Sequence, residues 1–156
     1  MLMSGESRPL SPSPVAYRLI DLVERNAEEL TRAYVQDVIS HVETPTYRKL
    51  EEHEVYLRAH RVFSQLGKWI STSFSDEDMK KYWTELGRRR RSEGFALSEI
   101  MMSLCFIRRR IWRKIELDGL LDTAMDLYQA LELQTRVSLF FETALYYAVC
   151  GYEETA

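Results

Sequence analysis

Glycine and proline are scarce: the chain holds six and four of them among 156 residues, and two of the prolines fall in Ser11-Pro12-Ser13-Pro14. Long stretches therefore run without a turn residue, which favours helices and argues against many short strands. Only two cysteines are present, Cys105 and Cys150, and neither has a neighbour at metal-ligand spacing. Lone thiols of this kind point to a reducing compartment, so a cytoplasmic location is expected. No run of about 18 apolar residues occurs, and MLMSGESRPLSPSP has no apolar signal-peptide core, so neither a membrane span nor export is expected. Histidines number three, His41, His53 and His60, and none forms the Glu-x-x-His pairs of a carboxylate-bridged metal bundle or a His-Glu-x-x-His zinc site. Phosphate-binding glycine loops and the Gly-x-Ser-x-Gly elbow are missing too, which leaves no positive sign of an enzyme, a cofactor or a metal.

What is present is helical rhythm. Apolar residues make up 46% and charged residues 29%, a globular balance. Ser13-Pro14 reads as a helix start, and Leu19, Val23, Ala27, Leu30, Tyr34, Val38 and Val42 follow at three- and four-residue steps. Thr44-Pro45 repeats the start signal before Tyr56, Ala59, Phe63, Leu66, Ile70 and Phe74, with Gly67 as a candidate close approach between helices. Ser75 with Asp76, Glu77 and Asp78 opens a third helix, stapled by Phe74 and Met79 and closed by Gly94. A fourth runs from Ala96 to Asp118-Gly119, and a fifth from near Asp122 to Gly151. The expected fold is all-α, an up-and-down bundle of about five long helices. Residues 1–12 are expected to form a disordered tail, 13–152 one domain, and 153–156 a short tail.

Charge is unevenly spread. Residues 80–114 carry eleven Lys/Arg against Glu85, Glu93 and Glu99, an excess of eight positive charges in a chain of net charge −3. Three readings compete. A nucleic-acid helix-turn-helix is disfavoured because no turn residue interrupts the helix after Gly94, so no nucleic acid is expected. Solvated arginines paired with acidic helices are the default. The third reading places Arg89 and Arg108 beside an inward groove walled by Trp83 and Trp112, where a guanidinium would need a carboxylate, a carbonyl or a bound anion. Thr135 and Ser138, polar breaks in the fifth helix's stripe, mark either an interface or a small cavity.

Within this stretch, Tyr82-Trp83-Thr84-Glu85-Leu86-Gly87-Arg88-Arg89-Arg90, Glu93-Gly94-Phe95-Ala96-Leu97-Ser98-Glu99-Ile100 and Arg108-Arg109-Arg110-Ile111-Trp112 follow one another. This order resembles the RsbRD N-terminal domain family of all-helical sensor and regulatory domains in bacterial stress-response and two-component signalling. Ala96 stands where family members often have proline, and either suits a first helical turn. The resemblance implies a non-catalytic signalling domain, with Gly87 and Gly94 as structural family marks and no catalytic residue to transfer. No output domain follows Gly151, so it further implies action through a homodimer or a signalling partner such as a kinase, a phosphatase or a sigma-factor regulator. The rival expectation is a protein–protein adaptor docking through the basic face of the third and fourth helices.

Overall fold

The computed structural model describes residues 13–71 and 76–154. The expectations for residues 1–12 and for the Phe74-Ser75 start signal lie outside the described residues. Among those described, the protein is all-helical: α1 (Pro14–Arg25), α2 (Ala27–Ser40), a 3₁₀ turn (Pro45–Lys49), α3 (Glu52–Ser64), α4 (Leu66–Ile70), α5 (Asp76–Ser92), α6 (Leu97–Asp118) and α7 (Ala124–Glu153). The third, fourth and fifth expected helices are α5, α6 and α7. Each of the first two expected spans is instead interrupted.

The first break falls at Asn26, whose backbone (φ −105°, ψ 21°) leaves the helical region. Its side-chain amide donates to the Leu22 carbonyl at 2.7 Å, an alternative to the helical ladder that asparagine readily offers. The apolar stripe survives the kink, with Leu19, Val23, Ala27, Leu30, Tyr34 and Val38 all buried. It stops at Val38, because α2 ends at Ser40 and Val42 is left 81% exposed. Thr44-Pro45 starts a 3₁₀ turn rather than a long helix, held by the buried Thr44 hydroxyl donating to the Val38 carbonyl at 2.7 Å. A further break at Gln65 (φ −123°, ψ 27°) separates α3 from the short α4. There Gly67 makes the close approach its sequence position suggests: its N–H donates to a Glu24 carboxylate oxygen at 3.0 Å, and an added Cβ would sit 3.1 Å from Ile20.

The tightest packing joins α5 to α7. A Cβ at Gly87 would lie 2.8 Å from the Ala148 carbonyl carbon, closer still to its oxygen, and 2.9 Å from the Tyr152 nitrogen. Opposite it, a Cβ at Gly151 would meet the Thr84 backbone in the same way. With Ala144 and Ala148 fully buried beside them, these glycines let two helix backbones touch. Trp69, Trp83, Phe140 and Phe141 then fill the space next to the crossing through edge-on and tilted ring contacts. The helix α7 runs two residues beyond Gly151, to Glu153.

Candidate functional site

The end of α5 sets the site. Gly94 takes φ +90°, the left-handed conformation that glycine adopts without cost. The Phe95 N–H reaches back to the Arg90 carbonyl and the Gly94 N–H to the Arg91 carbonyl, both at 3.0 Å, forming a Schellman cap. The cap folds Phe95 under the helix end, where its ring lies 5.9 Å from the Arg90 guanidinium and 4.7 Å from the Tyr47 ring. The same turn thereby places an arginine and two aromatic rings in the interior.

Arg90 is 6% exposed. A guanidinium so far from water requires a charge partner and hydrogen bonds. Glu93 provides the charge, its carboxylate accepting from Arg90 at 3.0 Å and from Arg58 of α3 at 2.6 Å. Arg58 also binds Glu54 at 2.7 Å. Burial alone would push the Glu93 carboxyl upward, but the hydrogen bond and charge of Arg58, reinforced by Arg90, outweigh it and hold the group below the usual glutamate value. Arg58 is in turn held more firmly protonated: its own desolvation is outweighed by Glu93 and Glu54.

Next to this network lies a small cavity of about 40 Å³, bounded by α2, the 3₁₀ turn, α3, α5 and α6. Arg58, Arg90, Tyr34, Tyr47, Tyr82, Trp83 and Ser103 supply its polar groups, and aliphatic side chains of α3, α5 and α6 supply the rest of the lining. Burial raises the Tyr34 phenol well above its ordinary pKa, with Tyr47 adding to the rise and Arg90 and Ser103 opposing it, so the phenol stays protonated. The Ser103 hydroxyl donates to the Ile100 carbonyl at 2.8 Å and also hydrogen-bonds with the Tyr34 phenol. Trp83 is 2% exposed, and its indole N–H has no hydrogen-bond partner among the described residues. The cavity thus sets guanidinium, phenol and indole groups among aliphatic side chains, with the indole N–H the donor that lacks a partner among the described residues. Its volume matches about three waters, or one ligand of three or four heavy atoms.

One buried carboxylate braces the wall. Glu99, 3% exposed, accepts from the Ala96 N–H at 2.9 Å and from the Thr46 N–H and hydroxyl at 2.7 Å each. Alanine has no side-chain acceptor, so only this half of a capping box forms. The second half of its work is to tie the start of α6 to the 3₁₀ turn that carries Tyr47.

The residues singled out from sequence separate into three places. Trp83 lines the cavity, without Arg89, Arg108 or Trp112. Arg89, expected on the inward flank, is exposed, and its neighbour Arg90 occupies the interior. The buried side of α5 follows Met79, Trp83, Gly87 and Arg90, which turns Arg89 outward. Arg108 and the half-buried Trp112 share an open surface groove on α6 with Arg109, Arg113, Glu116 and Leu117, away from Trp83. Thr135 is exposed and donates to the Leu131 carbonyl at 3.2 Å, and Ser138 is half-buried; neither lines the cavity. Gly87 and Gly94 have the structural roles described above. Tyr34, Tyr47, Arg90, Glu99 and Ser103 were missed; helical phase read from Trp83 and Gly87 points to Arg90.

Much of the basic segment is engaged within the chain. Arg88 pairs with Glu154 at 2.5 Å, Arg91 donates to the Tyr152 carbonyl at 2.7 Å, Arg110 grips Asp37 through two bonds of 2.6 and 2.7 Å, and Lys114 reaches Asp118 at 2.7 Å. Among the described residues, no cluster of three or more His, Cys, Asp or Glu could hold a metal, and no helix is long and apolar enough to cross a membrane. No protein-family model, curated protein or solved structure matches the chain.

Proposed function

We propose that this chain is a non-catalytic sensor or regulatory domain whose helix packing responds to a small, acceptor-rich ligand held in the cavity beside Arg90. The observation that carries this reading is a deeply buried guanidinium, anchored by a single internal carboxylate, on a cavity whose other polar groups are mostly donors. A ligand of three or four heavy atoms carrying oxygen acceptors, such as formate, nitrite, nitrate or bicarbonate, fits both the size and the donor set. Because the cavity touches four helices and the 3₁₀ turn, a ligand bound more tightly in one packing arrangement than another would bias their positions. The resemblance of residues 82–112 to the RsbRD N-terminal domain family supports the signalling class. Under this reading the five spans pack up and down, and the domain works in the cytoplasm, as a homodimer or with a kinase, phosphatase or sigma-factor regulator.

The test is thermal unfolding with each of these anions, at ionic strength matched with chloride. At least one should raise Tm saturably in the natural chain and fail to do so in Arg90→Met. A flat response to all four contradicts the reading.

An adaptor role has its own observation. The α6 groove sets Arg108, Arg109 and Arg113 beside Trp112 and the exposed Leu117, a basic and aromatic surface suited to an acidic partner. It lies on α6 rather than at Arg88–Arg91, whose Arg88, Arg90 and Arg91 are engaged internally. Reversing Arg108, Arg109 and Arg113 to glutamate should abolish partner binding under this view and leave anion-dependent stabilisation intact under the first.

A further inference from the structure

The face of α7 turned away from the core carries a row of exposed residues at helical spacing. Ala124, Tyr128, Leu131, Thr135, Leu139, Glu142 and Tyr146 are all exposed, and their steps of four, three, four, four, three and four read the same in both directions. At 100° per residue these positions fall within one narrow stripe, extending about 33 Å along the helix. Tyr128 is 69% exposed, Leu131 61% and Tyr146 60%, with Met125 at the edge of the stripe 62% exposed. Among the described residues nothing covers the row. Its open apolar area is on the order of 500 Å², at the upper end of what a monomer leaves to water. Two such faces together approach the ~1,200 Å² at which specific interfaces begin.

A two-fold axis places the same patch against itself in reverse, so a row whose steps read alike in both directions meets its copy position for position. With the axis at Thr135, Leu131 meets Leu139 of a second copy, and Thr135 meets its own equivalent. Tyr128 then faces Glu142, a phenol donor opposite a carboxylate acceptor, and the small Ala124 leaves room for the Tyr146 ring. A parallel arrangement would instead set Glu142 against Glu142, two like charges in an apolar seam. We infer that a second copy of this chain docks on this face, α7 antiparallel to α7, with Thr135 on the two-fold axis. This sharpens the homodimer proposed above to one face and one register.

The test combines sedimentation velocity with disulfide trapping in a Cys105→Ser, Cys150→Ser background. The chain should sediment as a dimer at micromolar concentration. Thr135→Cys should cross-link to itself, whereas Leu131→Cys and Leu139→Cys should cross-link efficiently only when mixed, and Tyr128→Cys should not cross-link to itself. Leu131→Glu should raise the dimer dissociation constant at least 100-fold with unchanged circular dichroism, and adding Leu139→Lys should restore dimerisation. Self-cross-linking of Tyr128→Cys and Leu131→Cys would overturn the register while leaving the dimer standing. A monomer throughout, whether the Leu131→Cys thiol is open to labelling or protected by another part of the chain, would overturn the inference altogether.

Discussion

Gly87 and Arg90 lie three residues apart on the buried side of α5, yet they face opposite kinds of interior. At Gly87 the α7 backbone occupies the space a methyl group would need, with Ala144 and Ala148 fully buried beside it. One turn later, at Arg90, the helices part around a cavity where charged and phenolic groups meet aliphatic side chains. At the crossing, the backbones of α5 and α7 touch at Gly87 and Gly151. The cavity is lined by two arginines, three tyrosines and Trp83, whose indole N–H has no hydrogen-bond partner among the described residues. Under the proposed reading, tight packing holds α5 against α7 and adjustment falls at the cavity, where α2, α3 and α6 approach the end of the same helix.

The sharpest way to break this contrast is at the crossing. Gly87→Ala places a methyl group into the α7 backbone and should cost about 3 kcal/mol or more, read as the change in denaturant midpoint at constant m value. Glu93→Gln should cost less, about 1–3 kcal/mol, since it leaves Arg90 beside a neutral amide while the site remains partly open to water. Glu93 also gives a pH signature. Its carboxyl is depressed in the folded state, so its contribution is fully present above the ordinary value of 4.5 and is lost as pH falls through the folded value. Urea unfolding at pH 7 and pH 3.5 should therefore show the stability gap between the natural chain and Glu93→Gln shrinking in acid.

Gly94→Ala sharpens the comparison by separating two reasons for glycine on one helix. An added Cβ there meets nothing within 4 Å, so only the positive φ opposes it. The cost should be about 1 kcal/mol, well under that of Gly87→Ala. The smallest effect is expected for Ser103→Val, which fills part of the cavity and should shift stability by less than about 1 kcal/mol. Its diagnostic consequence is the loss of any anion-dependent rise in Tm.

These cases also show how far the residues alone could be read. The class was visible because the stripes of α1, α2, α6 and α7 repeat over many turns, and Gly94 marked the end of α5 through its conformational freedom. The interruptions were not visible, since Asn26 and Gln65 are ordinary helix-surface residues whose effect depends on a side-chain bond and on the neighbours of Gly67. The site was legible only in part. Trp83 stood out by size, but Arg88, Arg89, Arg90 and Arg91 are chemically alike, and only the close contact at Gly87 decides which of them turns inward. Tyr34 and Tyr47 look like core aromatics until the fold brings both to the same cavity. Thr135 was noticed as a polar break in a core stripe, and it lies instead at the centre of an exposed one.

The central claim is that the cavity beside Arg90 receives a small oxyanion. Its most direct test is the side-chain Nε–Hε resonance of Arg90, assigned by comparison with Arg90→Lys and followed by NMR while formate or nitrate is titrated against a chloride control. The account predicts a saturable shift of that resonance, accompanied by the Trp83 indole N–H and lost in Ser103→Val. Resonances of Arg90 and Trp83 that stay fixed, while exposed arginines such as Arg89 drift with salt, would contradict it.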